Sequence, residues 1–281
     1  PMNEDGSIDE ESLERLVEWH VNSGTSAIVG VGTTGESATL NVEEHCRTIG
    51  RIVSFASNRI PVIAGTGGNA TTEAIELTRT SANLGADACL LVTPYYNRPS
   101  QNGLYMHFKA IAEAVDCPQI LYNVPSRTAV DLSNETVLKL SLMANIVGIK
   151  DATGDVDRGS ALLSEVPHDF AVYSGDDSTA ADLLLAGGHG NISVTANLIP
   201  SKMSELVEAA LSGDVGKCSQ LGKKMSALNE ALFQEANPIP VKWALTMMGV
   251  IPPGIRLPLT SLDPRYHEKL RFALEEFGIY I

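Results

Sequence analysis

The stretch Asn145–Asp155, "NIVGIKDATGD", is the part of the chain that indicates the fold most clearly. Ile146, Val147 and Ile149 are apolar and β-branched, and such a run is typical of a strand that is buried on both faces of a parallel sheet. The run ends at Lys150, a residue type that is seldom fully buried, and a polar turn follows it. We therefore ask what an amine does at the end of a core strand.

Short apolar runs of this kind recur along the chain, with segments of helical periodicity between them. They occupy residues 27–32, 59–65, 88–93, 119–123, 146–150, 170–175 and 191–195. Leu13, Leu16 and Val17 form one stripe of the first helical segment, and Asn41 with Glu44 has the spacing of a helix-capping box. This alternation, with a spacing of roughly 20 to 33 residues, predicts parallel strands that are joined by helical crossovers.

The number of runs predicts a particular parallel architecture. Loop-like residues precede the first helical segment, so we expect an eighth strand to belong before Pro1. Eight strand–helix units predict a TIM (β/α)8 barrel whose first strand is missing from this sequence. An open doubly wound sheet is the alternative, but no intact G-x-G-x-x-G motif follows the first strand. Only helical segments follow residue 200, so we predict the barrel at residues 1–212 and a C-terminal helical domain at 213–281.

Composition limits the classes of function. The 281 residues are 44% hydrophobic and 19% charged, which is typical of a globular protein with a sizeable core. A net charge of −14 argues against a nucleic-acid partner, and no apolar run reaches transmembrane length, so no membrane partner is expected. The four cysteines have neither zinc-site nor disulfide-framework spacing, which predicts a reducing, cytoplasmic location.

The ends of the apolar runs carry the candidate chemistry, because active sites of barrels lie at the carboxyl ends of the strands. Lys150 could pair with Asp151 or reach solvent, or it could be a Schiff-base nucleophile. In the second case its pKa must fall from about 10.4 through desolvation. Tyr122, at the end of the preceding run, is either a packed phenol or a proton relay. Arg127, in a turn stiffened by Pro125, is either a surface residue or a fork for a carboxylate.

Other loops at the same edge indicate which ligands to expect. The turn "GTTGES", Gly32–Ser37, offers hydroxyls and backbone N–H groups to a small anion, but it is not a Walker loop. Asp176 and Asp177 disfavour a phosphorylated substrate, and we interpret them as an acidic cap on the following helix rather than as a magnesium site. No histidine ends a run and no H-x-H or H-E-x-x-H motif occurs, so no metal is expected.

Four motifs in this order, "GTTGES", "TPYYNRPSQNGLYMHF", "LYNVPSRT" and "VGIKDATG", resemble those of the dihydrodipicolinate synthase (4-hydroxy-tetrahydrodipicolinate synthase) family. This family is the lysine-biosynthesis branch of the pyruvate-dependent class I lyases. The resemblance runs from Pro1 into the helical tail, where it includes "EANPIPVKWA" and "RLPLT". It implies a TIM barrel with a C-terminal helical domain, no cofactor, a cytoplasmic location, and a homo-oligomer, expected to be a tetramer built from tight dimers.

The resemblance also implies roles for four catalytic residues. Lys150 is similar to the lysine that captures pyruvate as a Schiff base. Tyr122 is similar to the general acid/base, in a proton relay with Thr33 and Tyr96. In the family, the residue matching Tyr96 is donated across a dimer interface into the neighbouring site. The implied reaction is condensation of pyruvate with L-aspartate 4-semialdehyde, followed by cyclisation to 4-hydroxy-tetrahydrodipicolinate in the diaminopimelate route to lysine.

Three further positions match substrate-binding residues of the family. Thr34 and the backbone near Ile192 match positions that hold pyruvate, and Arg127 matches the residue that holds the carboxylate of the semialdehyde. A sister lyase, such as N-acetylneuraminate lyase or a 2-keto-3-deoxy sugar acid aldolase, shares the lysine, the tyrosine and the glycine turn. Arg127 and the pair Tyr95–Tyr96 favour a short dicarboxylate-like adduct over a polyol chain. A non-catalytic paralogue would be expected to lose the lysine or the tyrosine.

Relatives in this family carry a feedback site for L-lysine at the same interface. The matching positions are Ser37, Ala38, Leu40, His45, Asn69, Glu73 and Tyr95. We expect Asn69 and Glu73 to share one face at a helix start, because they are four residues apart. Val42 stands where some lysine-sensitive relatives have histidine, so L-lysine is an expected effector whose strength is left open. Ordinary dimer packing is the alternative interpretation of these residues.

Overall fold

The computed structural model describes residues 1–281 as an α/β protein with one parallel seven-stranded sheet. The strands are β1 (Ile28–Gly30), β2 (Val62–Gly65), β3 (Ala88–Val92), β4 (Gln119–Asn123), β5 (Ile146–Asp151), β6 (Ala171–Ser174) and β7 (Gly190–Asn191). Each of the seven apolar runs contains one strand, and each strand pairs with the next along the chain. The parallel alternation is confirmed. The strictly sequential order excludes the doubly wound alternative, in which the strand order reverses.

The sheet is curled. Four buried residues, Leu90, Ile120, Tyr122 and Val124, form a cluster on its inner face. The cluster also contacts partly buried side chains from the other strands and from the residue after β7, which are Val29, Ile63, Val92, Val147, Tyr173 and Ile192. Side chains from the first strand and from just beyond the last strand reach a common cluster only if the sheet bends toward itself. The carboxyl ends of the strands are thereby brought around one opening.

Twelve α-helices surround or extend this sheet. They are α1 (Glu10–Asn22), α2 (Val42–Ala56), α3 (Thr71–Asn83), α4 (Gln101–Ala114), α5 (Pro125–Thr128), α6 (Asn134–Leu140), α7 (Val156–Glu165), α8 (Ala180–Leu185), α9 (Pro200–Leu211), α10 (Val215–Ala231), α11 (Ile239–Met247) and α12 (His267–Glu275). Asn41 and Glu44 form the expected capping box of α2, and Leu13 and Val17 bury the predicted stripe of α1. No helix combines the length and apolarity that a bilayer span requires.

The last four helices pack together without further strands. A cluster of 21 buried residues joins them to Leu184 of α8 and to Leu198, which follows β7. The expected helical tail is therefore present, and its core is continuous with the end of the sheet. The boundary between residues 212 and 213 stays a prediction.

The seventh run differs most from its prediction. We expected residues 191–195 to form a strand, but β7 ends at Asn191 and Thr195 begins a 3-10 turn. The Asp177 carboxylate accepts hydrogen bonds from the N–H groups of Val194 and Thr195, both at 2.9 Å. These bonds prevent the strand from continuing, because the N–H groups bind Asp177 instead of a neighbouring strand.

Candidate active site

A cavity of about 900 Å³ is lined by the inner face of the curled sheet, by the loops after the strands and by residues of α1 and α9. Six of the seven predicted catalytic and substrate-binding residues line it, namely Thr33, Thr34, Tyr122, Arg127, Lys150 and Ile192. The exception is Tyr96, whose side chain lies outside the cavity and is 90% exposed. A single chain thus brings together every predicted catalytic and substrate-binding residue except the one expected to act across an interface.

Lys150 and Tyr122 are neighbours across two strands. They are register partners on β5 and β4, so their side chains leave the same face of the sheet. The ammonium of Lys150 lies over the Tyr122 ring, with Nζ 4.3 Å from the ring centroid. Asp151 faces the other way, where its carboxylate accepts a hydrogen bond from Thr153 N–H at 2.8 Å. The alternative in which Lys150 pairs with Asp151 is therefore wrong.

Two residues that contact or flank Lys150 were not predicted from the sequence. A Cβ atom at Gly175 would lie 2.7 Å from Cε of Lys150 and 2.8 Å from Cβ of Ala152, so the lysine side chain requires glycine there. Tyr173 is the register partner of Lys150 on β6, and burial raises the pKa of its phenol. The only feature of the sequence that pointed to either residue was its position near the end of a predicted strand, where "GDDS" begins.

The glycine turn that contains Thr33 and Thr34 is closed by its own backbone. Glu36 N–H donates to the carbonyl of Thr33 at 3.1 Å, and Glu36 itself adopts a left-handed conformation with φ of +55°. Such a conformation is uncommon for a residue other than glycine, asparagine or aspartate. The turn therefore has an unfavourable backbone conformation, which we expect contacts from other parts of the chain to stabilise.

A residue of the helical tail connects both ends of the predicted substrate site. Asn237, which is 5% exposed, donates from Nδ2 to the hydroxyl of Thr34 at 3.0 Å. Its backbone carbonyl accepts a hydrogen bond from Nη2 of Arg127 at 3.2 Å. Asn237 lies 203 residues from Thr34 along the chain, so local sequence patterns could not associate the two. The only feature of the sequence that drew attention to Asn237 was its place in the motif "EANPIPVKWA".

The predicted lysine-site residues divide between the cavity and the outer surface. Ser37, Leu40 and His45 line the cavity, whereas Ala38, Asn69, Glu73 and Tyr95 do not. Nε2 of His45 lies 2.7 Å from the carbonyl oxygen of Gly65. Burial lowers the pKa of His45, and the nearby charge of Glu73 opposes that shift. Asn69 precedes the helix, since α3 has its N-cap at Ala70, so the expected common helical face of Asn69 and Glu73 is wrong.

Asp176 and Asp177, the paired acids after β6, accept hydrogen bonds from backbone N–H groups of the neighbouring turns. Asp177 binds the turn after β7, as described above, and Asp176 accepts a hydrogen bond from Ser178 N–H at 2.8 Å. Neither caps α8, whose N-cap is Thr179 without a side-chain hydrogen bond, so the expected acidic helix cap is wrong. No group of three or more His, Cys, Asp or Glu side chains is arranged to hold a metal ion.

Comparisons with known proteins point to one family. A profile of the Dihydrodipicolinate synthetase family matches residues 1–277. A 4-hydroxy-tetrahydrodipicolinate synthase of Thioalkalivibrio sulfidiphilus is 58% identical over 279 residues, 99% of this chain and 95% of that protein. The crystal structure of the chloride-inhibited dihydrodipicolinate synthase from Acinetobacter baumannii, complexed with pyruvate, matches with a TM-score of 0.98 and 59% identity, covering 99% and 96% of the two chains. The enzyme from Cyanidioschyzon merolae with lysine bound matches with a TM-score of 0.96 and 40% identity, covering 99% and 95%.

Proposed function

The chain belongs to the dihydrodipicolinate synthetase family, and from that premise we propose that it condenses pyruvate with L-aspartate 4-semialdehyde to form 4-hydroxy-tetrahydrodipicolinate. The observation that carries this proposal is the placement of Lys150 over Tyr122 inside the cavity. An amine in a partly enclosed site next to a phenol has the parts needed for Schiff-base chemistry. The product belongs to the diaminopimelate route to lysine.

The first half of the reaction takes place on Lys150. Its neutral amine attacks the C2 carbonyl carbon of pyruvate, and the carbinolamine loses water to form the Schiff base. Tyr122 moves the protons that these steps require, in a relay with Thr33 and with Tyr96 of a second copy of the chain. The hydroxyl of Thr34, the turn N–H groups and the backbone at Ile192 hold the pyruvate carboxylate and orient the carbonyl.

The second half joins the two substrates. Loss of a methyl proton converts the Schiff base into an enamine, whose carbon attacks the aldehyde carbon of the semialdehyde. Arg127 holds the semialdehyde carboxylate, because a guanidinium offers paired donors of fixed geometry. The semialdehyde amine then attacks C2, closes the ring and releases Lys150. The net change is the joining of two substrates with loss of one water, which needs no oxidant and no cofactor.

We also propose a domain architecture, an oligomeric state and a cellular location for the chain. The curled sheet is the greater part of a (β/α)8 barrel at residues 1–212, which an eighth strand between β7 and β1 would close, and residues 213–281 form a helical domain. The exposed Tyr96 supports a tight dimer, because it needs a second chain in order to reach a site, and we propose that such dimers pair into a homotetramer. Four free cysteines support a reducing, cytoplasmic location.

Borohydride trapping tests the chemistry. Pyruvate with borohydride should add a covalent three-carbon adduct to the Lys150 peptide, seen by mass spectrometry, and Lys150→Arg should abolish it. An unmodified peptide in the wild-type chain would refute the Schiff-base step. A coupled condensation assay with the semialdehyde tests the substrate. Cleavage of N-acetylneuraminate or a 2-keto-3-deoxy sugar acid, without turnover of the semialdehyde, would favour the sister lyases.

L-Lysine is a second ligand that the structure supports. The charge of Glu73 reaches His45 from outside the cavity, so an anionic group lies where a ligand ammonium could bind. The Cyanidioschyzon relative has lysine bound, which supports a corresponding site here. The condensation assay with increasing L-lysine should show saturable inhibition that Glu73→Gln weakens. Unchanged rates at saturating L-lysine would leave dimer packing as the role of these residues.

A further inference from the structure

One buried ion pair near the cavity has no role in the mechanism above. Lys242 of α11 binds the carboxylate of Glu36, and the two residues are 8% and 5% exposed. Buried charges of this kind are costly to desolvate, and a buried pair is weak evidence for stability by itself. Burial lowers the pKa of Lys242, while the Glu36 carboxylate opposes that shift. A pair in such a position calls for a specific explanation.

Glu36 occupies the key position of the glycine turn. Its N–H donates to the carbonyl of Thr33, and its φ of +55° is the left-handed conformation that closes the turn. Both carboxylate oxygens are engaged, Oε1 by Lys242 and Oε2 by the N–H of Arg256 at 3.3 Å. The side chain of Glu36 therefore ties a strained backbone position to two points of the helical tail.

The same part of the tail reaches the turn a second time. Asn237 lies five residues before Lys242, and its Nδ2 donates to the Thr34 hydroxyl at 3.0 Å. The two contacts fix the backbone of the turn and one of its hydroxyls. The turn is thus held by α11 and by the residues that lead into it, in addition to its own backbone hydrogen bond.

We infer that the buried Glu36–Lys242 pair is a positioning device, which holds Thr33 and Thr34 in the conformation that binds pyruvate next to Lys150. Lys242 acts through Glu36 and the turn. This inference rests on the proposed function, because it assigns pyruvate binding to the turn. It makes α11 a determinant of pyruvate affinity, although α11 lies more than 200 residues from the turn along the chain.

Two variants separate positioning from folding. Glu36→Gly keeps a residue that adopts the left-handed conformation without strain, but removes the tether. The double variant Glu36→Gln with Lys242→Met removes both charges together, so no unpaired charge stays buried. Lys202→Met is the matched control, because Lys202 forms an exposed pair with Glu205 and does not line the cavity. Circular dichroism and thermal melting establish that each chain is folded.

The readout is the pyruvate concentration that gives half-maximal borohydride trapping on Lys150, together with the KM of each substrate. We expect both test variants to raise the half-saturating concentration and the pyruvate KM by about tenfold, which corresponds to about 1.4 kcal/mol, with the semialdehyde KM changed less than about twofold. Lys202→Met should match the wild type. This split distinguishes positioning of one substrate from a general loss of structure.

The outcomes separate the inference from the function on which it rests. Absence of trapping in the wild type would refute the proposed function. Normal trapping in the wild type, with unchanged half-saturation in both folded variants, would refute the positioning role. Equal increases in both KM values would also contradict it, and so would failure of both variants to fold, because the pair would then be a requirement of folding.

Discussion

At the residue scale, the candidate active site depends on the residues around Lys150 as much as on Lys150 itself. The sequence predicted Lys150 and Tyr122 as chemically distinctive residues at the ends of apolar runs, and Arg127 as one in the turn that follows. It could not identify Gly175, whose importance is the space that its missing side chain leaves for Lys150. Glycine at a strand end is common, and only the positions of neighbouring atoms show that this one is required.

Gly175→Ala should damage the chemistry more than the fold. The added Cβ would lie 2.7 Å from Lys150 Cε, so the lysine side chain must move. We expect kcat to fall by about 100-fold, as small misplacements of reacting groups can do, with about 1 to 3 kcal/mol of destabilisation from overpacking. Steady-state kinetics and denaturant unfolding measure the two effects.

Gly216→Ala is the control for that substitution. Gly216 lies in α10, and the nearest atom to an added Cβ is 3.7 Å away. Alanine is favoured over glycine in a helix, so this variant should keep wild-type kinetics and be equally or more stable. Full activity of Gly175→Ala would show that Lys150 does not depend on the space at Gly175.

Arg127 is the residue that we propose distinguishes the semialdehyde from other second substrates. Arg127 is an exposed residue that lines the cavity, and its Nη2 donates to the Asn237 carbonyl at 3.2 Å. Arg127→Ala should raise the semialdehyde KM and lower turnover by about 100-fold or more, the cost of losing a charge-assisted pair, while pyruvate trapping on Lys150 stays near wild type. Loss of trapping in this variant would place Arg127 at the pyruvate carboxylate instead.

At the element scale, periodicity predicted every strand, but not where the last one ends. The run at 191–195 has strand-like residues, and a side chain from another loop decides its structure. Asp177 intercepts the N–H groups that would have continued β7. Local patterns fail where a distant polar side chain competes for the backbone, and this happens here at the edge of the cavity.

A second long-range contact at this scale links the C-terminal segment to the start of α2. Both Nη atoms of Arg256 bind the carboxylate of Glu44, at 2.6 and 2.9 Å, and this bidentate contact lowers the pKa of Glu44 to about 2. A carboxyl whose pKa is lowered on folding stabilises the folded state above its unfolded pKa of about 4.5. That stabilisation is lost as the pH falls toward about 2.

Glu44→Gln should therefore destabilise the protein in a pH-dependent way. Above about pH 5 we expect a loss of about 1 to 2 kcal/mol in the free energy of unfolding, allowing for the partial exposure of the pair. The difference from wild type should shrink as the pH is lowered from about 4.5 toward 2. Glu43→Gln, an exposed neighbour in the same helical turn, is the control. Urea unfolding at several pH values measures both, and a pH-independent difference would contradict the ion-pair explanation.

At the scale of the whole molecule, the site of one chain lacks one of its predicted members. Tyr96 is 90% exposed and has a φ of +73°, so its ring projects from the surface instead of entering the cavity. Tyr95 beside it is 43% exposed. Exposed aromatic neighbours on a tight, strained turn are suited to an interface, because aromatic side chains contribute strongly to association. The sequence predicted this arrangement only through family resemblance, since nothing in a single chain encodes its partner.

Mixing two inactive variants should restore activity if Tyr96 acts across a dimer. Tyr96→Phe keeps Lys150 but lacks the donated phenol, and Lys150→Arg keeps Tyr96 but cannot form the Schiff base. In a mixed dimer, one of the two sites receives Lys150 from one chain and Tyr96 from the other. Random reassembly of equal amounts should recover about a quarter of the wild-type sites, because half the dimers are mixed and each has one complete site. Condensation rates that stay at the average of the two variants, with subunit exchange verified by native mass spectrometry, would mean that each site is built within a single chain.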